Sequence, residues 1–328
     1  MSQYKKHYLI TGGAGFIGSH LVRALLADKD LRMTIIDNFD PFYSRQIKLL
    51  NTDGFEKHQN ILLLDRNLED LSVHELKKIL PEPVDVIIHL AAKAGVRPSI
   101  DQPLAYQRTN ILATQMLLDL ARETGIKQFV FASSSSVYGM NKNLPWKESE
   151  QLLPISPYAM TKLAAEQAGY VFSHLTGLRF IALRLFTIYG PSQRPDLAIH
   201  RFIKSMLLDE PISVYGDGSS SRDYTYVKDA VQAIISAAAY DQGLFEIINV
   251  GNHVPVTLNE LVTTIEEVTG KKAKIQRLPE QAGEVAATFA DISRANRLLQ
   301  YKPSISLKQG ITNFYDWFQK NREVLLHQ

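Results

Sequence analysis

The sequence predicts an α/β fold, a doubly wound and mostly parallel sheet followed by a smaller C-terminal mixed α/β lobe. Three observations carry this. Up to Gly190 short apolar runs alternate with amphipathic helical stretches, the pattern of repeated β-α units. The runs are apolar throughout, as strands covered on both faces are. The first run leads into Thr11-Gly12-Gly13-Ala14-Gly15-Phe16-Ile17-Gly18, a glycine-rich turn that opens a helix.

In chain order, residues 8–11 read as the first strand and 16–27 as the first helix. Strands follow at 33–37, 61–65 and 84–91, then a helical stretch at 101–124 and a strand at 128–134. The next helix spans 157–176, with Pro157 in its first turn, where a missing N–H costs nothing. A strand at 179–186 completes the series. Beyond Gly190-Pro191 loops lengthen and strands shorten to 212–215 and 245–250. The expected division is a nucleotide-binding domain over 1–190, with segments around 225–250 returning to it, and a substrate lobe over 191–328.

With 328 residues the chain can bury a large core. Its net charge of +2 comes from scattered basic residues that never exceed a pair in a row, which disfavours nucleic acid and membrane surfaces. The absence of cysteine excludes disulfides, thiolate metal sites and a cysteine nucleophile, and it fits a reducing cytoplasm. No signal-peptide core or membrane-length apolar run is read, so a cytoplasmic location is expected. The nine histidines are dispersed without metal-ligand spacing.

Glycines in a strand-to-helix turn let the backbone approach a pyrophosphate, which then rests on the helix N-terminus. A glycine motif alone also serves as a plain tight turn, but here a strand precedes it and a helix follows. The second strand ends at Asp37, about twenty residues on, where the dinucleotide fingerprint places a ribose-binding acid. A carboxylate there favours NAD over NADP, and a Rossmann-type domain is expected. Asp65, ending the third strand, is either an adenine-side contact or a helix cap.

Tyr158 and Lys162 lie four residues apart on the 157–176 helix and share one face. A tyrosine titrates near ~10, and a fixed cation beside it brings the phenolate toward working range. The same spacing occurs on ordinary exposed faces. The glycine turn at the other end of the domain is what singles this pair out.

These residues, with His89-Leu90-Ala91-Ala92, Asn110, Ser134 and Arg222-Asp223-Tyr224-Thr225-Tyr226-Val227, resemble the extended short-chain dehydrogenase/reductase family over almost the whole chain. Three segments look most like NAD-dependent nucleotide-sugar 4-epimerases, and closest to UDP-glucuronate 4-epimerases. They are Lys93-Ala94-Gly95-Val96-Arg97-Pro98-Ser99, Ser133-Ser134-Ser135-Ser136-Val137-Tyr138-Gly139, and Phe186-Thr187-Ile188-Tyr189-Gly190-Pro191 with Arg194-Pro195-Asp196. The resemblance implies tightly bound NAD⁺ against Gly12, Gly15, Phe16, Ile17, Gly18, Asp37, Asn38, Asp65, Arg66, Ala91, Lys93, Tyr158 and Lys162. It implies that Tyr158 takes the C4-OH proton while the C4 hydride passes to the nicotinamide. Lys162 would hold the nicotinamide ribose, and Ser134 would bond the C4 oxygen. The 4-keto sugar then swings over and the hydride returns to its other face.

Related dehydratases and decarboxylases carry an acid between the catalytic serine or threonine and Val-Tyr-Gly. Here Ser135 and Ser136 stand there, which implies that the reaction stops at epimerisation. For a uronate, Ser135, Ser136, Thr187 and Arg194 would hold the carboxylate, with Arg97 as a further candidate or a surface ion pair. Arg222 resembles the diphosphate clamp, or else pairs with Asp223 or Asp229. Gln281 stands where many relatives have a second arginine. The expected partners are a UDP-sugar substrate and a second copy of the chain, through the 101–124 and 157–176 helices. Neutral and N-acetylated hexoses, and decarboxylation of UDP-glucuronate, are the alternatives.

Overall fold

The computed structural model describes residues 4–279 and 285–326. Its strands are β1 (Lys6–Thr11), β2 (Leu31–Asp37), β3 (Ile61–Asp65), β4 (Val86–His89), β5 (Gln128–Ser134), β6 (Arg179–Leu185), β7 (Thr187–Tyr189), β8 (Ile212–Tyr215), β9 (Ser221–Tyr226), β10 (Phe245–Val250), β11 (Pro255–Thr257) and β12 (Ile275–Leu278). Seven of them form one parallel sheet in the order β10-β6-β5-β4-β1-β2-β3. Strand order reverses between β1 and β4, so the crevice beyond their carboxyl ends is where this topology places a ligand. Apolar clusters on both faces explain the uninterrupted hydrophobic runs.

Helix α1 (Phe16–Leu25) follows the glycine turn, and α2 (Arg45–Thr52) follows β2. Helix α3 (Ala113–Thr124) leads to β5, and α4 (Pro157–Thr176) carries Tyr158 and Lys162. Ser156 caps α4 by accepting the Ala159 N–H at 3.1 Å, and Gly177 ends it at a φ of +70°. Gly169 lets α4 lie against β5 and β6, since a Cβ there would meet the Phe180 ring at 2.3 Å.

Two expectations change. The strand expected at 84–91 ends at His89, because the chain then turns toward β1, with Leu90 N–H on the Thr11 carbonyl and Ala91 N–H on the Thr11 hydroxyl. The helix expected over 101–124 is broken. It becomes short helices at Val96–Asp101 and Pro103–Gln107, a π-helical turn at Arg108–Leu112, and α3. That turn carries the buried Asn110, whose amide bonds backbone of the Lys93 loop, and π-turns concentrate at such functional positions.

β10, although far along the chain, is the outer strand of the main sheet beside β6. The remaining strands make two small sheets, β11-β9-β7 and β12-β8, above the carboxyl edge. Among the described residues no helix is long and apolar enough to cross a membrane, and no group of acids and histidines is arranged for a metal ion.

Candidate active site

A cavity of about 580 Å³ opens at the carboxyl ends of the central strands. One end is walled by Gly12, Gly15, Phe16, Ile17, Gly18, Asp37, Asn38 and Arg66. Ala91 and Lys93 form its middle, and Ser134, Ser135, Ser136, Tyr158, Lys162, Thr187 and Arg194 form the other end. Residues from β1, β2, β4, β5, α4 and the segment after β7, far apart in sequence, thus share one chamber.

The glycine turn is built for close approach. Gly12 has a φ of +75°, and a Cβ on it would meet the Ala91 nitrogen at 2.7 Å. Gly15, the N-cap of α1, has no side chain to cap the first turn, so its N–H groups are available to an anion. Asp37 accepts the Ala14 N–H at 3.0 Å with Oδ2 and the Phe39 N–H at 2.8 Å with Oδ1. Its carboxylate therefore braces the turn and keeps lone pairs for ribose hydroxyls. Lys48 Nζ stands 3.9 Å away. A cradle free of Cβ atoms, a helix N-terminus and an acid at the end of β2 together fit a dinucleotide.

Beneath the middle of the chamber, His89 is fully enclosed, and burial pushes it down to about 3, so it is neutral. The Thr114 hydroxyl donates to the Asn110 carbonyl at 2.7 Å, which leaves it to accept from His89 Nε2 at 3.0 Å. Nδ1 then accepts from Thr11 at 2.6 Å. Asn110 accepts the Lys93 N–H at 2.8 Å and donates to Thr161 at 3.0 Å, tying the Lys93 loop to α4.

Lys162 Nζ donates to the Ala132 carbonyl at 2.7 Å and lies 4.8 Å from the centre of the Phe131 ring. Burial pushes Lys162 down to about 7, opposed by the Glu166 carboxylate. Burial also pushes the Tyr158 phenol up, against the pull of the Ser134 hydroxyl and the Arg194 charge. This differs from the expectation that Lys162 is the cation setting the phenol. Lys162 is turned to the β5 backbone, and Arg194 is the charge that acts on Tyr158. The Ser134 hydroxyl lies 3.1 Å from that of Ser136 and accepts the Ser136 N–H at 3.2 Å, so the turn after β5 presents its hydroxyls together.

Arg194 forks onto Asp196, with Nε–Oδ1 at 2.9 Å and Nη2–Oδ2 at 2.6 Å, and stacks 5.2 Å from the Phe42 ring centre. Three sequence candidates lie outside the cavity wall. Asp65 is half exposed and bonds Arg45 Nη2 at 2.5 Å. The Arg97 guanidinium stands 5.2 Å from the centre of the Tyr215 ring. Arg222 donates to the Ser221 carbonyl at 2.9 Å. Its suggested partners are otherwise engaged: Asp223 accepts the N–H groups of Asn252, His253 and Ala290, and Asp229 accepts those of Ser304 and Ile305. Gln281 lies outside the described residues.

Sequence reading missed Asp40, Tyr43, Lys48 and Tyr106, which also line the chamber. Asp40 bonds Lys93 Nζ at 2.9 Å, closing the segment after β2 over the middle of the cavity. The Tyr106 ring meets the Tyr158 ring edge-on at 6.3 Å. No motif marks these residues. The signal was their position in the segments, loop or short helix, that follow strands ending at the crevice.

A family model described as GDP-mannose 4,6 dehydratase matches residues 9–314. The chain belongs to this family, within the short-chain dehydrogenase/reductases. Members resembling it include an uncharacterized UDP-glucose epimerase of Bacillus subtilis, 42% identical over 93% of this chain and 95% of that one. A UDP-glucuronate 4-epimerase of Thermodesulfobacterium geofontis is 37% identical over 97% of this chain and 98% of its own. The crystal structure of a Bacillus cereus UDP-glucuronic acid 4-epimerase, in complex with UDP-glucuronic acid and NAD, superposes with a TM-score of 0.89 at 36% identity, covering 96% of this chain and 99% of that one.

Proposed function

We propose that this protein is an isomerase, an NAD-dependent UDP-sugar 4-epimerase, and that its sugar is glucuronate, converted to galacturonate without loss of CO₂. The observation that carries the reading is the meeting of Tyr158, Lys162 and Ser134 with the glycine turn in one chamber. Gly12, Gly15, Gly18 and Asp37 would hold the dinucleotide, with Lys93 and Lys162 toward its nicotinamide end. NAD, when bound, supplies a hydride acceptor that later gives the hydride back, so no external redox partner is consumed.

The chain's own residues handle the proton. Tyr158 accepts it from the C4 hydroxyl and returns it to the same oxygen, with the Ser134 hydroxyl bonding that oxygen throughout. Lys162 supplies positive charge beneath them. Proton transfer of this kind contributes typically 10²–10⁴-fold to rate. Dehydration, and the protonation at C5 that completes a decarboxylation, call for a further acid-base group. Among the described residues the acids lining the cavity are Asp37, Asp40 and Glu69. Asp37 braces the glycine turn, Asp40 pairs with Lys93, and Glu69 accepts from Thr109. Beside Tyr158 the wall offers the hydroxyls of Ser135, Ser136 and Thr187 instead.

A 4-keto uronate is a β-keto acid and loses CO₂ when its carboxylate turns perpendicular to the carbonyl. Hydroxyls and a cation that fix the carboxylate suppress that rotation. Asp196 takes the Nε–Nη2 edge of Arg194 and leaves the Nη1 edge for a second acceptor. Incubation of the holoenzyme with UDP-glucuronate, following sugar products and CO₂ together, tests the reading. UDP-galacturonate without CO₂ is expected, and Arg194→Ala, which also withdraws a charge from Tyr158, should lose uronate turnover or release CO₂ while turnover of UDP-glucose falls much less. UDP-pentose and CO₂ from the unmodified protein, or no sugar product, would overturn it.

A further inference from the structure

Directly behind the chamber, on the side away from the cavity, lies a buried ion pair that the proposed mechanism does not use. Glu166 follows Lys162 by one turn of α4, and Arg184 lies on β6; their side chains are 0% and 1% exposed. The fork is bidentate, with Arg184 Nε to Oε1 at 3.0 Å and Nη2 to Oε2 at 2.8 Å. The Ser133 hydroxyl also donates to Oε1, so Glu166 bonds the residue immediately before Ser134. Arg184 Nη1 continues to the Tyr138 hydroxyl at 3.0 Å, which donates to Asn249 on β10 at 2.7 Å. One network thus holds α4, both ends of the serine turn after β5, β6 and β10.

A fully enclosed pair is a weak source of stability, because desolvation of both ions offsets their attraction. Its placement is more informative. The carboxylate sits between the strand that ends in Ser134 and the helix that carries Tyr158 and Lys162. We propose that Glu166 is a positioning residue of the active site, fixing Ser134 relative to Tyr158 through Ser133 and setting a negative charge one helical turn behind Lys162. This rests on the reading of Tyr158, Lys162 and Ser134 as the reacting set.

The charges that reach Lys162 can be named element by element. Tyr158 and Glu166 lie on its own helix, His89 faces it from β4, and β5 presents the Phe131 ring and the Ala132 carbonyl. Arg184 on β6 stands behind Glu166, and Arg194 acts on Tyr158 from the far side. His89 is neutral across the working range, so Glu166 is the counter-charge on which the ammonium depends.

Glu166→Gln keeps the shape of the side chain and removes the charge. Lys162 then loses its proton at lower pH, and the descending, high-pH limb of kcat moves toward acid by about a unit or more. The ascending limb, set by Tyr158 with Ser134 and Arg194, stays in place, so the bell narrows from its alkaline side. Because a lone buried Arg184 is destabilising, Glu166→Gln/Arg184→Gln is measured beside it, with thermal melting of each holoenzyme. Ser133→Ala, which spares the ion pair, should lower kcat several-fold without moving either limb. Folded single or double variants with wild-type pH limbs would overturn the proposal, as would a Ser133→Ala enzyme with unchanged kcat. If the unmodified enzyme turns over no nucleotide sugar, the underlying reading fails instead, and the two failures are told apart by that control.

Discussion

Gly18→Ala is the sharpest test of the nucleotide end, because the structure states what the added methyl would strike. A Cβ at Gly18 would lie 2.1 Å from the Gly12 carbonyl oxygen and 2.7 Å from Gly13 Cα. Ordinary carbon–oxygen contact is about 3.3 Å, so α1 and the glycine turn must separate by roughly 1.2 Å. Both contacts are backbone, and no side-chain rotation relieves them. Overpacking of this kind costs about 1–3 kcal/mol, and here the upper end applies. That is a melting-temperature loss of roughly 4 °C for a chain of this length. The displacement also carries the α1 N–H groups away from the pyrophosphate. Gly15→Ala is the internal control: its Cβ would meet only the Gly12 oxygen, at 3.1 Å, a few tenths of an ångström of strain. Dinucleotide content of the purified variants, with melting curves, should rank wild type, then Gly15→Ala, then Gly18→Ala well below. A Gly18→Ala protein with full dinucleotide content and unchanged melting temperature would refute the assignment of this turn.

Two further outcomes follow from burial. Burial pushes His200 down to about 4 and His89 to about 3, against roughly 6.5 in the unfolded chain. The unfolded chain therefore binds more protons between those values, and stability is full above pH 6.5 and falls as pH drops toward 4. Each histidine should forfeit roughly 2 kcal/mol by pH 5, and His200→Asn should flatten the melting temperature between pH 7 and 5; an equally steep variant would contradict this. Separately, Tyr170 and Leu175 on α4 are 52% and 73% exposed, and Leu112, just before α3, is 61% exposed. Apolar surface of this extent on adjacent helices supports a homodimer, so sedimentation of the wild type should give twice the 37.0 kDa chain mass, and Tyr170→Glu/Leu175→Glu the monomer. A wild-type monomer at micromolar concentration would end that reading.

The sheet was legible because covered parallel strands must be apolar along their whole length, and all six strands expected up to Gly190 end within two residues of their place. The carboxyl edge was less so. The π-turn at Arg108–Leu112 leaves the apolar spacing of 101–124 close to helical, and what sets it apart is Asn110 bonding the Lys93 loop, a tertiary contact. The Tyr158/Lys162 pair was visible as spacing, but the direction of the Lys162 side chain was not. A spacing of four places two residues on one face without deciding whether an ammonium meets a phenol or a strand carbonyl. Asp65 and Arg222 show the converse: position at a strand end or in a motif suggested them, and in the structure Asp65 pairs with Arg45 while Arg222 donates to the Ser221 carbonyl.

The electrostatics of Tyr158 fit a reaction that reverses itself. A base in a one-way reaction is best held ionised. A 4-epimerase must remove a proton from C4–OH and give it back to the same oxygen after the hydride has changed faces, so a phenol fixed as phenolate would be a poor donor on the return. Burial drives Tyr158 toward its neutral form, and Ser134 and Arg194 pull toward the anion. Neither side of that balance comes from Lys162, which is bonded to β5 with Glu166 behind it. The two cations thus divide the work. Arg194, in a loop and half committed to Asp196, is placed to respond to the sugar, and Lys162, held by the sheet, stays fixed for both directions of transfer.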